Sequence, residues 1–327
     1  MRIAINGMGR IGRLLFRRLL HHQQVQIIAV NDIMPIENLA YLLQYDSVYG
    51  TFPEKITIAD KHIVVGDRSI LYVQQADPLQ LPWEALEVHT VLECSGMFST
   101  APLAGQHIQA GAKKVLLSTT GAADIPLLIY GHNHVKDNSK LDIVSPGGCM
   151  TNCSTHILYL LQSIGIASAQ INVLHSYTTR QELVDTWHKQ PRRGRAAAES
   201  IIPVEVDLYQ SLERLMPGLK DKVATLSIRV PVANGAMADF TVEMQRMVTP
   251  EEINNLFKHA AANEYRGVLD YTEEELVSLD VKGNTHSCLI DGSLTSVAGK
   301  QVKIIAWFDN EYGFTSRMID WLELWSS

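Results

Sequence analysis

The chain has 327 residues, 46% of them hydrophobic and 19% charged, with a formal net charge of −7 at pH 7. That is long and apolar enough for two buried cores, and the acidic balance argues against a general role on nucleic acid or an anionic membrane. No apolar run reaches the roughly 18 residues of a membrane span, and the four cysteines are too few for a disulfide scaffold in a chain of this length, which implies a reducing, cytoplasmic setting.

In chain order, "RIAING" reads as a short buried strand. "MGRIGRLLFRRLLHH" follows with apolar residues at helical spacing, and "VQIIAVND" is a second strand. This is a βαβ unit. "HIVVG", "TVLECSG" and "KKVLLS" continue the strand series, with "APLAGQHIQAGA" as a helix among them. Residues 1–148 are therefore expected to form a parallel, doubly wound α/β Rossmann domain.

After residue 148 the pattern changes. "TNCSTHILYLLQSIGI" carries a long helical stripe, and "QINVLHSYTT", "ATLSIRVPV", "MADFTVEMQRM" and "VKIIAWF" are longer strands with polar alternation. An α+β catalytic domain with a mostly antiparallel sheet is expected over 149–312. The terminal helix, 313–327, is assigned to the first domain.

Two stretches carry chemistry. Gly7-x-Gly9-x-x-Gly12 lies between the first strand and the first helix. In that context the glycines allow a tight turn, a close approach to a pyrophosphate and close helix–strand packing, with the phosphates at the helix N-terminus beside Arg10 and Ile11. Asp32 ends the second strand; a carboxylate there accepts from ribose hydroxyls and repels a 2′-phosphate, which favours NAD over NADP.

The other stretch is "SPGGCMTNCSTH", residues 145–156, with Cys149 and Cys153 at the mouth of a helix. Cys149 is either a structural thiol or a nucleophile that gains thiolate character from the helix dipole. His175 is one candidate base among twelve histidines. The cysteines lack C-x-x-C spacing and no second ligand pair accompanies them, so no metal is expected. "KQPRRGR", residues 189–195, reads as a solvated loop, or as one that lines a site or a subunit contact.

"INGMGRIGR", "VND", "LPWEALEVHTVLECSGMF", "GAKKVLLS", "CMTNC", "HSYT", "RAAAESIIP", "IRVPVANGAMAD", "DYTEEELVSLD" and "AWFDNEYGF" occur in this order. Through them the chain resembles the phosphorylating glyceraldehyde-3-phosphate dehydrogenase family over essentially its whole length. "HS", "IIPV" and Phe314 lean toward the erythrose-4-phosphate dehydrogenases within it.

The resemblance implies that Cys149 attacks an aldehyde, that His175 takes the proton, and that loss of hydride to NAD leaves a thioester. It implies that Ser95, Gly96, Ser118 and Asn310 join the cofactor site, Asn310 at the nicotinamide carboxamide. Thr178 and Arg229 would grip the substrate's phosphate, and Cys153 would not be the nucleophile. It places "KQPRRGR" between subunits of a homotetramer.

The chain departs from the family where inorganic phosphate is bound. Gly148, Met150 and Val206 stand where hydroxyl side chains are usual, and Asp207 replaces a glycine. Thr151 keeps its hydroxyl, and Arg195 of the basic loop is counted with the substrate groups. Arg180 replaces an acidic residue and Ala76 an arginine.

Three functions follow as expectations: a glyceraldehyde-3-phosphate dehydrogenase; an erythrose-4-phosphate dehydrogenase-like enzyme whose thioester is resolved by water; and a weakly active NAD-binding regulatory or scaffold relative.

Overall fold

A computed structural model describes residues 1–134 and 141–326. The chain divides into two compact units, Met1–Gly148 with Arg317–Ser327, and Cys149–Ser316.

The first unit contains β1 (Arg2–Asn6), α1 (Arg10–Leu19), β2 (Gln26–Asn31), α2 (Ile36–Gln44), β3 (Ile56–Ala59), β4 (His62–Val65), β5 (Arg68–Val73), β6 (Thr90–Glu93), α3 (Ala101–Gln109), β7 (Lys114–Leu117) and β8 (Ile143–Val144). Its eight-stranded sheet has the order β3-β4-β5-β2-β1-β6-β7-β8. From β5 to β8 every pair is parallel. Ile3, Ala4 and Ile5 of β1 are fully buried, as a central parallel strand covered on both faces requires. Helix α1 turns Leu14, Leu15, Phe16 and Leu19 inward; each such side chain, fully buried, contributes about 1.5–3 kcal/mol.

One edge departs from the expected parallel sheet: β3–β4 and β4–β5 are antiparallel. The connections explain it. Asp60-Lys61 and Gly66-Asp67 are two-residue turns, with positive φ at Asp60 (53°) and Gly66 (58°). A parallel pairing would need a crossover of about a dozen residues, so "HIVVG" can only fold back on its neighbours.

The second unit contains α4 (Cys149–Gln162), β9 (Ile166–Ser176), β10 (Ile202–Val204), α5 (Leu208–Leu215), β11 (Val223–Val230), β12 (Ala236–Met244), α6 (Pro250–Ala262), β13 (Leu269–Thr272), β14 (Cys288–Ala298) and β15 (Gln301–Phe308). The sheet order is β10-β11-β9-β12-β15-β14-β13. It is mostly antiparallel; only β11–β9 and β13–β14 run parallel. Ile171, Val173, Phe240 and Ile304 are fully buried on it, and so are Ile157 and Leu161 of α4. The register matters for function: His175, near the end of β9, is paired with Arg229 of β11 and with Ala236 of β12. Helix α7 (Tyr312–Ser326) closes the chain, and its residues from Arg317 onward belong to the first unit.

Candidate active site

In the first unit the glycine loop leads from β1 into α1. Gly7 has φ +90°, and a Cβ there would lie 2.3 Å from the Ser95 backbone nitrogen. A Cβ on Gly12 would lie 2.1 Å from the Gly7 oxygen, so helix and turn touch only because both residues are glycine. At Gly9, by contrast, the space a Cβ would take is open. No side chain caps α1 and no acid lies in its first turn. Open space beside Gly9 before an uncapped helix start fits a pyrophosphate.

Asp32 lies one residue past β2. Its two carboxylate oxygens accept the N–H groups of Met8 (2.6 Å) and Met34 (3.0 Å). It therefore ties the glycine loop in place, and each oxygen keeps a further acceptor position. The Arg10 guanidinium is bonded to Asp46 and lies over the Tyr49 ring, so its charge is engaged within the first unit, and Ile11 follows it in the first turn of α1. Ser95, in the turn after β6, donates its N–H and O–H to Glu93 Oε1 at 2.8 and 2.5 Å. Gly96 follows with φ +72°. Ser118, just past β7, donates its N–H to the Glu93 carbonyl. The exposed side chains of Ile33 and Met97 follow the ends of β2 and β6. Ile33 lies two residues past β2 and Met97 four residues past β6, and the signal for both in the sequence is an apolar residue in the turn after a strand.

In the second unit Cys149 is the first residue of α4, and its Sγ lies 3.6 Å from His175 Nε2. His175 Nδ1 lies 2.7 Å from the Ser176 carbonyl. A carbonyl only accepts, so the ring proton sits on Nδ1 and Nε2 presents its lone pair to the thiol.

Desolvation pushes the Cys149 thiol up to about 11, against the pull of Arg229 and of the N–H groups of Met150 and Cys149; Asp309 adds to the rise. The dipole alone predicts a thiolate, and burial reverses that expectation. Desolvation pushes His175 down to about 3, the Arg229 charge adds to this, and the Ser176 bond opposes it. At rest the pair is a neutral thiol beside a neutral imidazole, a nucleophile with its base.

Cys153 lies one turn further along α4, fully buried, its thiol raised well above its ordinary value by desolvation and by the Cys288 thiol. It is shut away from reagents, as Cys149 is not. Thr151, counted with the substrate groups from sequence, is 3% exposed inside the first turn of α4. Gly148 and Met150 are partly exposed.

Arg229 is 7% exposed and donates from Nη1 to the Ser176 carbonyl at 3.2 Å, while its Nε has no partner among the described residues. Arg193 is 9% exposed, and its Nη1 has no partner among them either. Desolvation lowers Arg229 to about 10; Cys149 opposes this, and the charges of Arg193 and Arg180 add to it. Two buried, mutually repelling guanidinium groups with unfilled N–H positions call for an anion. Thr178 accepts the Arg180 N–H on its hydroxyl oxygen, so its own proton remains to be donated.

Arg195, the arginine picked from the sequence, is elsewhere. Its side chain is 65% exposed and bonded to Asp185. The reason is the fold of the loop: Gln181 Nε2 donates to the carbonyls of both Arg193 and Arg195 (2.9 and 2.8 Å), and Thr186 donates to Gly194. That compact turn buries Arg193 and leaves Arg195 outside. Val206 is partly exposed and Asp207 exposed at the start of α5, where the Asp207 side chain makes no capping bond.

Asn310 Oδ1 accepts the Gly235 N–H (3.0 Å) and the Ser176 O–H (3.1 Å). A backbone N–H needs an acceptor, so the amide is fixed with Nδ2 on the other side, available to a ligand. Asp309, fully buried, accepts the N–H groups of Glu311 and Tyr312 on one oxygen and that of Gly283 on the other. No group of three or more potential metal ligands occurs among the described residues, and no helix there is long and apolar enough to cross a membrane.

Comparison with known proteins gives two family matches. Residues 1–101 match "Glyceraldehyde 3-phosphate dehydrogenase, NAD binding domain", and residues 148–310 match "Glyceraldehyde 3-phosphate dehydrogenase, C-terminal domain". Among curated relatives, the glyceraldehyde-3-phosphate dehydrogenase 2 of Bacillus subtilis (strain 168) is 38% identical over 323 residues, 98% of this chain and 95% of the relative. The glyceraldehyde-3-phosphate dehydrogenase of Haloarcula vallismortis is 40% identical over 325 residues, 98% and 96% respectively.

Proposed function

The chain belongs to the glyceraldehyde-3-phosphate dehydrogenase family, and on that premise we propose that it oxidises the aldehyde of a phosphorylated sugar, glyceraldehyde 3-phosphate foremost, through a thioester on Cys149. The observation that carries this is the 3.6 Å approach of Cys149 Sγ to a His175 Nε2 whose ring proton is held on the far nitrogen. As sulfur attacks the aldehyde carbon, Nε2 takes the thiol proton and a hemithioacetal forms. Bound NAD supplies the acceptor for the hydride which that carbon then loses. The resulting thioester is attacked by an oxygen of inorganic phosphate; the C–S bond breaks, and Cys149 regains its proton from His175.

The glycine loop with Asp32, Ser95, Gly96 and Ser118 holds the cofactor, and Asn310 Nδ2 meets its carboxamide. Thr178 and Arg229 hold the substrate's phosphate. Arg193 supplies the buried cation for the attacking phosphate. Leu183, Val184, Trp187 and Ile201 are apolar side chains left 66–85% exposed, as residues covered by a second copy would be, which supports self-association; the homotetramer follows from the resemblance. A cytoplasmic setting fits the reduced cysteines.

The absence of hydroxyls at Gly148, Met150 and Val206, with a carboxylate at Asp207, favours a second reading in which water resolves the thioester. Turnover with glyceraldehyde 3-phosphate and with erythrose 4-phosphate, each with and without inorganic phosphate, separates the two. NADH formation that needs phosphate supports the first. A rate indifferent to phosphate supports the second. No NADH from either aldehyde would overturn both.

A further inference from the structure

The last backbone rungs between β1 and its neighbours are Gly7 N–H to Asn31 O and Cys94 N–H to Asn6 O. Beyond them a row of side-chain bonds takes over, crossing the ends of β5, β2, β1 and β6 in the order in which these strands lie in the sheet. Asn31 is bonded to both backbone groups of Gln75, just past β5. Asn31 Nδ2 donates to Asn6 Oδ1 at 2.6 Å, and Asn6 Nδ2 donates to Glu93 Oε2 at 2.5 Å. Glu93 Oε1 takes the N–H and O–H of Ser95.

Behind the carboxylate stand His107 and Trp83, both fully buried. Trp83 Nε1 donates to His107 Nδ1 at 3.1 Å. An indole N–H only donates, so the His107 proton is on Nε2, which donates to Glu93 Oε2 at 3.0 Å. Glu93 is 2% exposed. Four donor groups converge on its two oxygens, and an acceptor-only carboxylate satisfies them all.

This places Glu93 on both sides of one contact. Through Asn6 it holds the residue before Gly7. Through Ser95 it holds the backbone nitrogen that lies 2.3 Å from the Cβ position of Gly7. The glycine loop is thus clamped from β1 and from β6 by one buried side chain that does not reach the open face at Gly9.

We infer that Glu93, held by His107 and Trp83, is a positioning residue for the dinucleotide: it sets the width of the glycine loop and hence the affinity for NAD. The inference rests on the reading that this loop binds NAD. Substituting Glu93→Gln replaces one acceptor oxygen with an NH2 that faces a donor, which breaks at least one bond and opens the clamp. Besides Glu93 and Trp83, the His107 ring meets the Phe98 ring edge-on at 5.7 Å; His107→Leu keeps an apolar side chain against Phe98 and removes the bond to Glu93, so it tests the same link from behind. In His107→Gln an amide N–H can take the place of Nε2.

The test is calorimetric titration of the full chain with NAD, alongside iodoacetamide alkylation of Cys149 without NAD. Losing a buried hydrogen bond to a charged group corresponds to about tenfold or more. Glu93→Gln should raise the dissociation constant at least about tenfold. His107→Leu should raise it by roughly three- to tenfold, and His107→Gln should recover most of that loss. Alkylation should stay within about twofold of wild type throughout, and in turnover KM for NAD should rise while kcat holds. A role confined to fold stability would lower the melting temperature without the glutamine rescue.

Should Glu93→Gln fail to fold, the two His107 variants decide alone. Wild-type protein that binds no NAD would overturn the cofactor reading and this inference together. Wild-type protein that binds NAD, with His107→Leu binding as tightly, would overturn this inference only.

Discussion

His175 and Arg229, paired across β9 and β11, hang from the same carbonyl: His175 Nδ1 and Arg229 Nη1 lie 2.7 and 3.2 Å from the oxygen of Ser176. One backbone group thus aims the base at Cys149 and holds a cation within range of its sulfur. The charge lowers the thiol and also lowers the imidazole. It favours the state in which Cys149 is ionised and His175 is neutral.

The first prediction follows from that sign. In Arg229→Gln the thiolate loses its nearest stabilising charge, so its pKa rises and alkylation becomes slower at a given pH. With iodoacetamide and no substrate, the rate near pH 8 should fall about threefold or more. The pH–rate curve should move to higher pH, and on its rising limb a curve displaced by about one pH unit means a rate about tenfold lower. A curve that stays in place, or moves to lower pH, would show that Arg229 does not govern the sulfur.

Cys149→Ser should abolish turnover, since a hydroxyl beside the same imidazole is a far weaker nucleophile than sulfur. Cys153→Ser removes a fully buried thiol in contact with Cys288, so its cost falls on stability. Turnover should remain within about threefold of wild type, while the melting temperature drops by about 2 °C for roughly 1 kcal/mol lost. Equal loss of activity in the two variants would overturn the assignment of Cys149.

Much of this was legible in the sequence because it depends on local rules. The glycine spacing, the strand–turn–helix context and Asp32 are read within one βαβ unit. The place of Cys149 at a helix start marks it as a structural thiol or a nucleophile, and only the resemblance chooses between the two. What could not be read depends on how loops close in space. Arg193 and Arg195 are two residues apart in one basic run, and only the Gln181 bonds to that turn decide which is buried. The antiparallel edge could have been found, since two-residue links at Asp60 and Gly66 forbid a parallel return. The clamp at Glu93 draws its partners, Asn6, Ser95 and His107, from three separate segments, and no spacing announces it.

Asp32 has two tasks, and its variants should show both. Asp32→Ala removes the charge that disfavours a 2′-phosphate, and it also strips the Met8 N–H of its acceptor. An unsatisfied N–H costs about 1–3 kcal/mol, so the loop loosens for either cofactor. NAD affinity should fall about tenfold or more while NADP affinity changes little, so the gap narrows by loss rather than gain. Asp32→Asn, which keeps one carbonyl acceptor, should retain more of the NAD affinity. Titration of each variant with both cofactors checks this, and an Asp32→Ala protein with undiminished NAD binding would refute the structural task.

The attacking anion decides between phosphorolysis and hydrolysis, and two of the three arginines of the basic loop, Arg193 and Arg195, allow a clean comparison. Arg193 is buried, has an unfilled N–H position and lies within electrostatic range of Arg229. Arg195 is exposed and paired with Asp185. If Arg193 is the cation that draws phosphate to the thioester, Arg193→Ala should raise the phosphate concentration at half-maximal rate by about tenfold or more, the equivalent of one lost charge-assisted bond of roughly 1.5–3 kcal/mol. The NADH burst from the acylation half should survive. Arg195→Ala loses only an exposed pair that solvent screens, and should leave the phosphate dependence within about threefold. The hydroxyls missing at Gly148, Met150 and Val206 act in the opposite direction to Arg193, so the wild-type phosphate requirement should itself be high. Met150→Thr with Asp207→Gly should lower it, by returning a donor and removing a like charge that at about 4 Å repels by about 4 kcal/mol at an effective dielectric near 20. Stopped-flow bursts and steady-state rates across a phosphate series measure both halves of the reaction. A steady rate that ignores phosphate in wild type and in Arg193→Ala alike would show that water resolves the thioester and that this buried cation serves another anion.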